Sequence, residues 1–187
     1  MPGGTLLWVP QIIMGSEQKT IAILVEDLYQ VLEVWYPLLR LREEGVGVVT
    51  VGTGTKDEYK SKEGYPVKVD TSIDKVKLEQ FDGVIIPGGY APDILRRFDK
   101  VNDFVRKLYL NGKVVASICH GGWVLVSAGI LKGKKATSFF AIKDDLIAAG
   151  AQYEDKEVVV DKNLITSRKP EDLPSFMRAI IKQLKKI

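Results

Sequence analysis

The sequence predicts an α/β three-layer sandwich, a mostly parallel sheet with helices on both faces. Three observations carry this. Short β-branched runs alternate with stretches of helical spacing. Several of those runs are apolar at every position, as strands covered on both faces are. One of them, VVASI, ends in a Cys-His-Gly-Gly junction that passes straight into another helical stretch.

The elements follow in order. Thr20 to Val25 (TIAILV) is a buried strand, and Val31 to Glu44 (VLEVWYPLLRLREE) is a helix that stops at Gly45. Pro37 falls inside that helix, so a kink or a late start is expected near Trp35 and Tyr36. Val46 to Val51 is the second core strand. Glu58 to Asp70 alternates polar and apolar residues around Gly64 and predicts an exposed hairpin, an edge or subunit-contact element. Gly83 to Pro87 is the third core strand, running into Gly88-Gly89. Asp99 to Asn111 is an amphipathic helix closed by Gly112. Val114 to Ile118 is a strand, and Trp123 to Ala128 begins the helix beyond the junction. Ile142 to Ala149 predicts a helix, Glu157 to Leu164 a hairpin, and Glu171 to Lys186 the last helix.

The chain has 187 residues, 45% of them hydrophobic and 27% charged, which is the balance of a globular protein. A net charge of +3, spread without a basic block, gives no electrostatic case for nucleic-acid binding. One Cys and one His can form neither a disulfide framework nor a structural zinc site, and no cofactor is implied. The expected compartment is the cytoplasm. Met1 to Gln18 is too short and Pro-interrupted for a membrane span, lacks a basic start, and reads as a loose extension with Met14 as a possible alternative start. Residues 19–187 are expected to form one domain. Asp144-Asp145, on a predicted helix, and the Lys-rich end from Lys182 to Lys186 are expected to be solvated.

Chemistry is expected outside the carboxyl ends of the strands. Ser117-Ile118-Cys119-His120-Gly121 has the small-x-nucleophile-x-Gly shape of a nucleophile elbow, in which a tight turn strains the central residue and presents its side chain. A helix N-terminus there would favour thiolate. A lone Cys is otherwise a small buried hydrophobe. Here, however, the only Cys and the only His are adjacent, and His120 is the only imidazole base available. At the neighbouring strand end, Gly88 and Gly89 let backbone amides approach a ligand, and with the His120 amide they could stabilise an oxyanion.

PGG-YAPD, ASICHGG, TSFFAIKDDLIAAGA and DKNLITSRKPEDLPSFMRAII together resemble the PfpI family of intracellular cysteine proteases, relatives of the parkinsonism-associated protein deglycases. The resemblance covers nearly all of Thr20 to Leu184. It implies a flavodoxin-like fold in the class I glutamine amidotransferase-like superfamily, and assembly as dimers, possibly hexamers. It makes Cys119 the nucleophile, His120 its base, and Gly89 with the His120 amide the oxyanion hole. Gly88, Tyr90, Gly121 and Phe139 would line the pocket.

The family's third triad member, an acid from the neighbouring subunit, falls at Asp93, where Glu is usual. A helix N-cap is the plainer role for that side chain. A second family carboxylate, placed by the Tyr36-Pro37 pair, falls at Glu33, with Gln30 where another Glu is frequent. Phe139-Phe140 replaces the family's frequent Tyr-Pro. The expected activity is an intracellular peptidase acting on small peptides through an acyl-enzyme at Cys119. The alternatives are a deglycase or glutathione-independent glyoxalase acting on methylglyoxal and its adducts, and a non-catalytic redox sensor or holdase.

Overall fold

The computed structural model describes residues 18–187; the expectations for Met1 to Glu17 lie outside the described residues. In chain order the main elements are β1 (Thr20–Val25), α1 (Val31–Glu43), β2 (Gly47–Gly52), β3 (Glu58–Lys60), β4 (Pro66–Lys68), β5 (Thr71–Ser72), β6 (Gly83–Ile86), α2 (Ala91–Leu95) and α3 (Asp99–Leu110). They continue with β7 (Val114–Ile118), α4 (Gly122–Ala128), β8 (Lys135–Ala136), α5 (Lys143–Ala148), β9 (Gln152–Tyr153), β10 (Val158–Asp161), β11 (Leu164–Ser167) and α6 (Leu173–Leu184).

Seven strands form the central sheet in the order β10-β11-β7-β6-β1-β2-β5, parallel throughout except for the β10-β11 pair. Helices α1 and α6 pack on each other and on one face, while α3 and α4 cover the other. Strands β6 and β7 are buried at every residue, and β1 at all but its first, because both faces are roofed. This is the expected flavodoxin-like sandwich. From β1 the chain adds β2 and β5 on one side, then returns to add β6, β7 and β11 on the other. The order therefore reverses between β1 and β6, and a crevice opens beyond their carboxyl ends.

Several local expectations change. Helix α1 begins at Val31, without the late start expected from Pro37, because Gln30 caps it: its side-chain oxygen accepts from the Glu33 N–H at 3.1 Å. The second half of the predicted C-terminal hairpin is longer than expected: β11 runs to Ser167 and is a full strand of the sheet beside β7. The β3-β4 hairpin forms as predicted, but its apolar side is spent on its own chain. Tyr59 is fully buried, and its hydroxyl meets those of Thr53 and Thr55 at 3.0 Å each. Thr53 in turn donates to the buried Glu26 carboxylate. Deleting the hairpin would thus open the core, so it cannot serve as a clean test of subunit contact. Among the described residues, no helix is long and apolar enough to cross a membrane.

Candidate active site

The junction after β7 is a strained turn. Cys119 adopts φ +59°, the left-handed region that a side chain rarely occupies, at the start of a 3-10 turn spanning Cys119–Gly121. Gly121 makes the turn possible. A Cβ there would lie 2.3 Å from the Ile86 carbonyl oxygen on β6. Gly121→Ala should therefore destabilise the fold by about 3 kcal/mol or more, read by urea unfolding; wild-type stability would contradict the tight-turn argument.

The thiol is buried, 7% exposed, and its Sγ lies 3.3 Å from His120 Nδ1. The backbone amides of His120 and Gly89, the two expected oxyanion donors, lie close enough to the sulfur to favour its thiolate form. Gly89 reaches this place through φ +78°, against the Leu28 carbonyl, where a Cβ would clash at 2.4 Å.

Glu33 arrives from the other side of the crevice. Its position three residues after the helix cap turns it inward, where it is fully buried and accepts from the Gly88 N–H at 2.6 Å. Its second oxygen has no other hydrogen-bonding N or O group among the described residues. The Cys119 thiol is a neighbour of this carboxyl, and each group influences the other's proton. Burial dominates, lifting Glu33 from its ordinary 4.5 to about 7.

Here the structure corrects the expected thiol acidity. Burial first, and the Glu33 charge second, push the Cys119 thiol up to about 12, outweighing the amides that favour thiolate. The two groups are best described as a pair that shares protons. With one proton on the pair the sulfur holds it at rest, and its transfer to Glu33 produces the thiolate beside the two amides.

His120 is held by aromatic rings. Its centroid is 5.1 Å from Trp123 and 5.1 Å from Phe139. Burial lowers its proton affinity, with a further contribution from the Lys62 charge. Phe139 is tied to the site by its N–H, which donates to the Cys119 carbonyl at 3.3 Å. Trp123 is fixed by Asp145, which accepts its indole N–H at 2.8 Å. Asp145 is exposed, as expected of a solvated face, and it also anchors the ring that packs on His120. No local pattern marks that link, because the partners lie on α4 and α5.

Asp93 is not brought to His120 within the chain. It sits in the first turn of α2, with Tyr90 rather than itself at the cap, and its half-exposed carboxylate pairs with Arg97. Tyr90 is 62% exposed at the rim of the glycine turn.

A strained cysteine turn at a sheet switch point, beside two backbone amides and a buried carboxyl, has the arrangement of a nucleophile elbow in an α/β protein. Comparison with known proteins narrows the class. The DJ-1/PfpI family model matches residues 19–183. The chain is 44% identical over 165 residues to the deglycase PfpI of Pyrococcus furiosus, covering 88% of this chain and 99% of that protein. It is 42% identical over 167 residues to the putative cysteine protease YraA of Bacillus subtilis, covering 89% and 99%. The crystal structure of Drosophila melanogaster DJ-1beta superposes with a TM-score of 0.84 at 29% identity, covering 90% of this chain and 91% of that one. The chain belongs to the DJ-1/PfpI family.

Proposed function

We propose that this protein is a thiol-dependent deglycase that removes 2-oxoaldehyde adducts from amines and thiols and converts the free aldehyde to a 2-hydroxy acid. The observation that carries the reading is the buried Glu33 carboxyl beside Cys119, which burial shifts up to about 7 so that it can exchange a proton at neutral pH. It supplies a proton where a carbonyl oxygen gains charge.

The chemistry uses the pair throughout. Cys119 sulfur bonds to the aldehyde carbon, the π pair moves to oxygen, and Glu33 delivers its proton there, giving a hemithioacetal. The amides of Gly89 and His120 stabilise the developing oxyanion. In an amine adduct the same attack breaks the C–N bond, and the amine leaves with that proton. Glu33, now a carboxylate, moves the carbon-bound proton to the adjacent ketone carbon, with no net oxidation, and a 2-hydroxy thioester results. Water cleaves the C–S bond, the 2-hydroxy acid leaves, and the thiol is restored. The deglycase names of relatives such as the Pyrococcus furiosus protein support this reading.

The second reading is the peptidase, favoured by the 3.3 Å contact of Cys119 with His120 and by the Bacillus subtilis relative's name. Protonating an amide leaving group calls for an oriented imidazole. Asp93, paired with Arg97 in its own chain, would have to reach His120 from a second subunit. Self-association as a dimer or hexamer is therefore part of this second reading.

The test is to incubate the methylglyoxal adduct of N-acetylarginine, and separately a fluorogenic peptide amide, with the protein. Lactate together with free N-acetylarginine supports the deglycase. Peptide cleavage without lactate replaces it with the peptidase.

A further inference from the structure

The β3-β4 hairpin was expected to be an exposed edge or subunit-contact element, and its tip is in addition pinned to the loop after β1. Leu28 N–H donates to the Lys60 carbonyl at 2.7 Å, and Lys62 N–H to the Tyr29 carbonyl at 3.0 Å. Tyr29 bridges both Ser61 and Gly89. On the far side, Tyr90 N–H donates to Leu28 and Gln30 N–H to Gly88, at 2.9 and 3.2 Å. The loop after β1 is thus clamped between the hairpin tip and the glycine turn that presents an amide to Cys119. The tip is rigid as well, because the buried Ser61 hydroxyl accepts from the Glu63 and Tyr65 amides at 3.1 and 3.0 Å.

This scaffold fixes the Lys62 backbone against the Tyr29 carbonyl, in the loop that also bonds the Gly88-Gly89 turn. Among the described residues the Lys62 ammonium has one acidic neighbour, Glu63, at a loose 3.9 Å, and its side chain is 41% exposed. Its charge nevertheless reaches both Glu33 and His120, whereas the Glu171 charge reaches Glu33 without acting on His120. The remaining wall near His120 is aromatic, formed by Trp123 and Phe139. A cation held at the rim of an aromatic cleft, without a tight partner, is suited to a negatively charged ligand group. The steps assigned to Cys119 and Glu33 leave Lys62 unused.

We propose that Lys62 binds a carboxylate on the substrate, so that the site prefers carbonyl compounds carrying an acid group over neutral ones. This deepens the reading of Cys119 as the nucleophile, and names a substrate class for it. A 2-oxoaldehyde with a carboxylate tail, such as 4,5-dioxopentanoate, is of that class. By the same steps it takes up one water and gives 2-hydroxyglutarate.

Cys119 is the only thiol of the chain, so alkylation reports this site alone. Iodoacetate and iodoacetamide react alike: a C–S bond forms, the C–I bond breaks, iodide leaves and the thiol proton passes to solvent. They differ by one negative charge. The ratio of their rates therefore cancels any change in the thiol's own reactivity. Lys62→Gln should lower the iodoacetate-to-iodoacetamide ratio by about fivefold, and high salt should lower it in the wild type. Lys62→Arg should retain it. An unchanged ratio in Lys62→Gln would overturn the proposal.

Turnover separates this proposal from the function it deepens. Lys62→Gln should raise KM for 4,5-dioxopentanoate by a larger factor than KM for methylglyoxal; equal losses on both would count against Lys62. If the wild type converts neither aldehyde while the alkylation ratio still falls, anion recognition by Lys62 stands and the deglycase reading fails.

Discussion

Replacing Cys119 with alanine should reduce formation of 2-hydroxy acid from a 2-oxoaldehyde by about 10⁴-fold or more, to the level of the uncatalysed reaction. The size of the effect follows from the sequence: the chain has no other thiol to take over. It also follows from the site, since the two amides that would hold an oxyanion lie beside the Cys119 sulfur and favour its thiolate. The same substitution should be tolerated by the fold. Alanine fits the space, and the strained φ of +59° is no worse for it than for cysteine. Lactate formation that survives in a folded Cys119→Ala protein would remove the thiol from the mechanism.

Glu33→Gln is the second large effect, and it separates activity from stability. The amide keeps the shape and can still accept from Gly88, but it carries no proton to give. The value of kcat/KM should fall by about 10²- to 10⁴-fold. In the wild type, kcat/KM should rise with pH through about 7, where the pair loses its first proton. That limb should disappear from neutral pH in the variant.

Stability should move the other way. The folded carboxyl holds its proton up to about 7, whereas the unfolded one releases it near 4.5. Between those values the folded state binds more protons, so the Glu33 contribution is fully present below about 4.5 and is lost as pH rises to about 7. The difference in unfolding free energy between wild type and Glu33→Gln should therefore drop by on the order of 3 kcal/mol across that window and then level off. His120, whose proton affinity burial lowers, contributes in the opposite sense, losing stability on acidification below its ordinary 6.5. Taking the difference between the two proteins removes that contribution. A flat difference between pH 5 and 8 would mean that Glu33 is already ionised in the folded protein at acidic pH.

The sequence made the frame of the sheet legible because β1, β6 and β7 are apolar at nearly every position, and only strands roofed on both faces need that. The elbow was legible because Cys119, His120 and Gly121 are contiguous, so one short motif holds both the strain and the close approach. Glu33 came from resemblance; nothing in the spacing of α1 marks it as buried. Elements of two residues, such as β5, β8 and β9, are too short to display a period. The Asp145 to Trp123 to His120 chain and the placement of Lys62 depend on contacts between distant segments, which local pattern does not encode. Thiol acidity was misjudged for a related reason. The turn geometry is local and readable, whereas the burial and the facing carboxylate that override it arise only when α1, β6 and β7 are assembled.

The most direct test of the central claim is rapid-quench mass spectrometry of the intact protein during a single turnover of methylglyoxal, with the modified residue located by peptide mapping. An adduct on Cys119 that forms first and decays at the rate at which lactate appears is the predicted result. Lactate appearing while Cys119 stays unmodified throughout, or appearing equally fast with Cys119→Ala, would contradict it.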